Sequence, residues 1–169
     1  MKPQDIVILS YLVVMKDDKW TFQKLSSELI ISQSECHAAI QRCGVSGLFN
    51  NHFRKVNKMA FKDFLISGLK YVFPPKVGKV TRGVLMDAKV FGKENTIIHD
   101  DQSNYVWPFV KGRDKGQGLE PLYYSVPEVV LKDIKFYKFM VLVDLLRIGT
   151  ARERAFAVSK FDNLLEINK

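Results

Sequence analysis

Residues 21–49 read TFQKLSSELIISQSECHAAIQRCGVSGLF, and the punctuation of this stretch decides the fold. Thr21 suits an N-cap, and Leu25 and Leu29 stand one helical turn apart, so a short helix runs to Leu29. Ile30-Ile31 makes a tight connection to Ser32. Three residues after Ser32 comes Glu35, the spacing of a capping box, in which the hydroxyl takes a free backbone N–H and the carboxylate reaches back to another. The helix opened by Ser32 carries Cys36, Ala39, Ile40 and Cys43 on its apolar side, and Gly47-Leu48-Phe49 ends it. Upstream, Pro3 opens a first helix over residues 3–15, with Ile6, Leu9, Val13 and Val14 at helical spacing.

Two short helices joined by a turn of about three residues, the second one capped, predict a helix-turn-helix. The first of the pair braces the second, whose outer face must enter a major groove. At about 100° per residue, Gln33, Ser34, His37, Ala38 and Gln41 lie opposite the Cys36–Ile40–Cys43 face. Gln can make paired hydrogen bonds to adenine, Ser can meet several base edges, and Ala can touch a thymine methyl. Arg42, at the far end, is a phosphate or guanine contact. Ser32 and the free N–H groups beside it can hold a phosphate. Glu35 is an awkward neighbour for DNA, but capping would turn it back onto the backbone. The plain alternative is a solvated helix face.

The stretch from Thr21 to Phe49 resembles the DNA-binding core of bacterial winged helix-turn-helix regulators of the MarR-like kind. The likeness rests on Leu25-Ser26 and Leu29, Ile31-Ser32, then Cys36, Ile40, Cys43 and Gly47-Leu48, under a third of the chain. The family pattern usually has glycine where this chain has Ile30. A β-branched residue tolerates positive φ badly, so either the turn takes another shape or the alignment shifts by one. Gly68-Leu-Lys-Tyr-Val-Phe-Pro74, Thr81-Arg82-Gly83 and Glu120-Pro121-Leu122-Tyr123 also look like a group of small bacterial proteins described only as DNA-binding. That likeness implies no mechanism.

Asn50 to Lys62 holds Arg54, Lys55, Lys58 and Lys62 and no acid. In a winged helix this segment makes a hairpin on the sugar–phosphate backbone, where cations give sequence-independent affinity. Any wing here is confined to Asn50–Val56, because Asn57 is placed to cap a helix running to Phe73 with Phe61, Phe64, Leu65, Leu69 and Val72 on its apolar side. A basic solvent-facing edge is the alternative. Pro74-Pro75 stops that helix.

Gly and Pro divide the chain into three parts: a winged helix-turn-helix with its following helix (1–73), a loop- and strand-rich segment (74–125) and a C-terminal helical region (126–169). The expected class is mainly α with minor β. In the middle part, Val106-Trp107-Pro108 and Leu122-Tyr123-Tyr124 suggest short strands or packed loops, and Gly112 to Gly118 a mobile turn. In the last part, Ser125 with Glu128 and Thr150 with Glu153 fit capping boxes, and Gly149 suits a left-handed helix end. Ile134, Phe136, Phe139 to Val143, Leu145 and Leu146 exceed what one helix face needs. They pack either on the N-terminal module or against a second chain. Helix-turn-helix proteins usually bind as two-fold dimers, so a homodimer built from residues 126–167 is expected, with a wholly intramolecular core as the alternative.

The 169 residues carry a formal net charge of +8, which favours a polyanionic partner. Residues 1–73 hold net +4 and the other two parts net +2 each. The most apolar run, Ile6 to Met15, is far shorter than the roughly 20 residues of a spanning helix, so no membrane partner is expected. It lacks a cleavage site, which points to the cytoplasm and to reduced Cys36 and Cys43, two helical turns apart as small buried hydrophobes. Cys36 and His37 are adjacent and point apart on a helix, the three histidines are scattered, and His99-Asp100-Asp101 has no second carboxylate pair. Neither zinc spacing nor a phosphate loop occurs, so no cofactor, metal or catalysis is expected. The expected function is a dimeric repressor that reads duplex DNA. The alternative is a protein-interaction module, the antitoxin or adaptor half of a two-protein system, with residues 74–125 on the partner.

Overall fold

The computed structural model describes residues 1–16, 19–92 and 104–165. The fold is mixed α/β, with several helices and two small sheets. The chain opens with α1 (Pro3–Met15), where Pro3 and the apolar spacing place it, and α2 (Phe22–Leu29) and α3 (Gln33–Val45), at the places the caps predict. Thr21 Oγ1 accepts from the Lys24 N–H and Ser32 Oγ from the Glu35 N–H. A small antiparallel hairpin follows, β1 (Phe49–Asn50) on β2 (Lys55–Val56).

Asn57 then caps α4 (Lys58–Asp63), its Oδ1 accepting from Ala60 N–H. The helix predicted as far as Phe73 does not stay uniform. It widens into a π-helical turn over Phe64–Gly68 and resumes as α5 (Leu69–Val72).

The middle segment is more ordered than its glycines suggest. Strands β3 (Val77–Leu85), β4 (Tyr105–Pro108) and β5 (Asp114–Leu119) are each bonded to both others and close into a very small barrel. β3 runs antiparallel to both neighbours, while β4 and β5 run parallel. The mobile turn expected over Gly112–Gly118 is therefore mostly strand. Its glycines serve close backbone approach: a Cβ on Gly112 would stand 2.1 Å from the Gly83 carbonyl oxygen, and one on Gly116 2.2 Å from that of Asn104. Three strands can close so tightly only where side chains are missing. Leu122-Tyr123-Tyr124 is a packed turn, with Leu122 buried.

The C-terminal part holds α6 (Val126–Val130), α7 (Ile134–Ile148) and α8 (Ala151–Leu165). Thr150 and Glu153 form the expected reciprocal box before α8. Ser125 does not cap α6; its hydroxyl donates to the Leu29 carbonyl at 2.6 Å. Gly149 is extended rather than left-handed, and a Cβ there would meet the Leu145 carbonyl oxygen at 2.5 Å.

The core joins all three parts. α1 is buried from Asp5 to Val13 and α7 from Phe139 to Arg147, and the two pack on each other. Phe139 meets Phe161 of α8 edge-on and stacks with Phe61 of α4. The apolar surplus of α7 is thus packed within one chain, except Ile134, which stays exposed. A buried polar knot ties α7 to its surroundings: Trp107 Nε1 donates to Asp144 Oδ2 at 2.6 Å. Arg147 pairs with Asp144 and donates to the carbonyls of Phe73, Pro74 and Glu120. Burial pushes the Asp144 carboxyl upward, against the pull of Arg147 and Trp107. Among the described residues no helix is long and apolar enough to cross a membrane.

Candidate nucleic-acid interface

The predicted base-reading residues sit on α3. Cys36, Ala39, Ile40 and Cys43 are buried, and Gln33, Ser34, His37 and Gln41 are exposed on the other side, with Ala38 half-buried between them. The helix has thirteen residues and divides cleanly because its apolar positions recur at helical spacing. Ser32 stays exposed, its Oγ within 3.1 Å of Ser34 Oγ. The His37 ring rests 5.2 Å from that of Phe22 on α2, so the brace helix limits where His37 can swing.

Both ends of α3 are tied down. Asp5, fully buried on α1, accepts from Arg42 Nε at 2.9 Å and Nη2 at 2.6 Å. Arg42 also pairs with Glu35, which accepts in turn from Gln4 Nε2 at 3.0 Å. Hydrogen bonding to Arg42 holds the Glu35 carboxyl below the usual carboxylate range, and Asp5 above all raises the Arg42 pKa. Two expectations change here. Glu35 does not reach back to the Ser32 backbone, because the guanidinium offers a charged partner on its own helix face. Arg42 is engaged inside the chain rather than standing free at the far end of the helix. Sequence reasoning missed Asp5, although a lone acid at the head of an apolar helix was the available signal.

At the other end, Ile30 adopts the left-handed conformation with φ 56°. The turn therefore keeps the shape usually given to glycine and accepts a β-branched residue in it, at a cost of order 1–2 kcal/mol. The surroundings hold it there. The Tyr124 hydroxyl donates to the Ile30 carbonyl at 3.2 Å, Ser125 donates to that of Leu29, and the Ile31 N–H returns to the Ser26 carbonyl.

The basic residues after α3 have diverse surroundings. Arg54 is left-handed, lies 4.4 Å over the Trp20 ring and exchanges hydrogen bonds with the Trp20 backbone carbonyl and indole. This pins the hairpin to the α1–α2 connection and leaves Phe53 exposed at its tip. Lys55 is exposed on β2, and Lys58 is half-buried at the start of α4. Lys62 is ion-paired with Asp162 of α8. Ser32, Gln33, Ser34, His37 and Gln41 thus lie together on one open face, whereas Arg42 and Lys62 are drawn into the protein.

Among the described residues, the other expected chemistry-bearing side chains do not come together. Cys36 and Cys43 are buried on one face of α3, and burial pushes their thiols up to about 11 and about 12. Cys36 faces inward while its neighbour His37 faces out. His99-Asp100-Asp101 lies outside the described residues, and among those described no cluster of His, Cys, Asp and Glu could hold a metal ion. No protein family, curated protein or solved structure matches the chain.

Proposed function

We propose that this protein is a sequence-specific duplex-DNA-binding regulator, with α2 and α3 forming a helix-turn-helix and the β1–β2 hairpin an abbreviated wing. The observation that carries this reading is the open outer face of α3. Gln33, Ser34, His37 and Gln41 are uncovered by their own chain, while the opposite face and both ends are fixed. A rod held this way loses little freedom on entering a major groove, and its amide, hydroxyl and imidazole groups match base-edge donors and acceptors. Ser32 and the first N–H groups of α3 face a phosphate, with Lys55 and Lys58 following on the hairpin side. The net charge of +8 supports the same partner.

Regulation is by occlusion of a promoter, and two copies related by a two-fold axis would place two α3 rods on half-sites about one DNA turn apart. Because α7 from Phe139 to Arg147 is packed within its own chain, that dimer needs residues left exposed, such as Leu131 just before α7 and Ile134 at its head.

The test is selection of bound duplexes from a random pool at near-physiological salt, using the full chain. A palindromic consensus supports both base reading and two-fold symmetry. Gln33→Ala with His37→Ala should abolish retention of the selected duplex while the unfolding midpoint stays put. Recovery of no preferred sequence, or indifference to those two changes, removes α3 as the reading element.

The second reading, a protein-interaction module, has its own observation. Beside β3 lies an open groove of about 800 Å³, whose wall includes exposed Val77, Val80 and Tyr124. Retention of a partner protein by the Gln33/His37 variant, with no duplex bound by the parent chain, would favour it.

A further inference from the structure

The arginines of this chain fall into two sets. Arg42, Arg54, Arg147 and Arg154 are engaged by a carboxylate, a ring or a backbone carbonyl. Arg82 and Arg113, like Arg152 at the start of α8, have no such partner among the described residues. The first two belong to the small barrel, where Arg82 of β3 stands directly opposite Lys115 of β5 in the antiparallel register. Side chains directly opposite have Cβ atoms about 5 Å apart, and like charges placed so repel. Neither is relieved by an acid among the described residues. The neighbouring pair on the same face is Val80 opposite Gln117, and all four residues are exposed. Arg113, two residues before Lys115, and Lys111 extend the charge into the β4–β5 connection, both exposed. Asp114, the acid in this stretch, lies on the alternate side and accepts from the Leu85 N–H.

We propose that this face of the barrel is a second phosphate-binding surface, which grips the backbone of duplex DNA beside the segment read by α3. The identity of the ligand rests on the DNA-binding reading above. A bridging phosphate converts the Arg82–Lys115 repulsion into two attractions, and the guanidinium fork matches two phosphate oxygens. The platform is stiff, since every strand is bonded to both others and Trp107 anchors β4 to Asp144. It is also fixed relative to α3, because the segment leaving β5 carries Tyr124 and Ser125, whose hydroxyls hold the α2–α3 turn. One rigid body therefore presents both surfaces.

The experiment measures duplex affinity of the full chain against salt concentration, for the parent, Arg82→Ala/Lys115→Ala, the charge-conserving exchange Arg82→Lys/Lys115→Arg, and Gln33→Ala/His37→Ala. Two lost phosphate contacts should lower the slope of log affinity against log salt by about 1.8, equally for selected and random duplexes. The charge-conserving exchange should keep the parental slope. Unfolding curves for the alanine pair exclude a folding defect, since removing the repulsion should not destabilise the barrel. An unchanged slope in the alanine pair, with binding lost in the Gln33/His37 variant, overturns this inference and leaves α3 as the interface. A reduced slope in the alanine pair, with the Gln33/His37 variant behaving as the parent, keeps the barrel surface and overturns base reading by α3. A parent chain that binds no duplex at low salt overturns both.

Discussion

α3 and α7 have thirteen and fifteen residues, and the tertiary structure treats them in opposite ways. α7 is buried on most sides, among α1, α5, α6 and α8, and its two charged core residues turn toward each other. α3 buries four side chains and leaves a polar face to solvent, while its charged residues Glu35 and Arg42 pair with each other and Arg42 reaches Asp5 of α1. The lesson is that a helix can be as firmly held as a core helix and still keep one face free. Firmness comes from the ends and the apolar side; availability comes from what lies opposite. Such a division of labour suits a recognition element, which must be rigid without being covered.

The largest effect should come from the knot that fixes α7. Asp144→Ala strands the buried Arg147 guanidinium and the Trp107 indole, so unfolding in urea should show a loss of about 3–5 kcal/mol. A loss under about 1 kcal/mol would mean that the knot contributes little and that α7 is held by packing alone.

The two faces of α3 should then separate sharply. Ile40→Ala on the inner face should lose about 2–5 kcal/mol, whereas Gln41→Ala, the next residue, should stay within about 0.5 kcal/mol. Similar losses for both would mean that the outer face is packed in solution, and the contrast with α7 would disappear.

Ile30→Gly tests how the α2–α3 turn is held. Release of the left-handed penalty is opposed by the lost half-buried side chain and by greater freedom of the unfolded chain, so stability should change by no more than about 1 kcal/mol. A much larger loss would show that the Ile30 side chain, rather than the Tyr124 and Ser125 hydrogen bonds, sets the turn.

The smallest effect should be the pH dependence at the α1–α3 clamp. Arg42 lowers the folded-state pKa of Glu35, so the carboxylate stabilises the fold above its ordinary value near 4.5. That contribution disappears as pH falls through the lowered value. The stability difference between the parent and Glu35→Gln should therefore be present at neutral pH and vanish in acid. A difference that persists unchanged into acid would assign it to hydrogen-bond shape rather than to charge.

Many of the helix starts were legible because their signals are local. Thr21, Ser32, Asn57 and the Thr150–Glu153 pair act within one turn of themselves, and each cap stands where its spacing placed it. The division of α3 into two faces followed from periodicity alone. The barrel escaped because its signals are not local: Gly112 and Gly116 read as loop until Gly83 and Asn104 are brought against them. Asp144 and Arg147, three apart on an apolar helix, were a visible sign of a buried pair, but their partner Trp107 lies far away in sequence. The reassignment of Glu35 from a cap to a bridge likewise needed Arg42 and Asp5 in place.

The amino-acid order alone determined where helices begin, which side of α3 is apolar, and that the chain carries an excess of positive charge, since these depend on neighbours a turn apart or on composition. Only the tertiary structure decided which cations are neutralised and which stay open. It took Arg42 and Lys62 inward and set Arg82 against Lys115, because ion pairing and strand register depend on which distant segments meet.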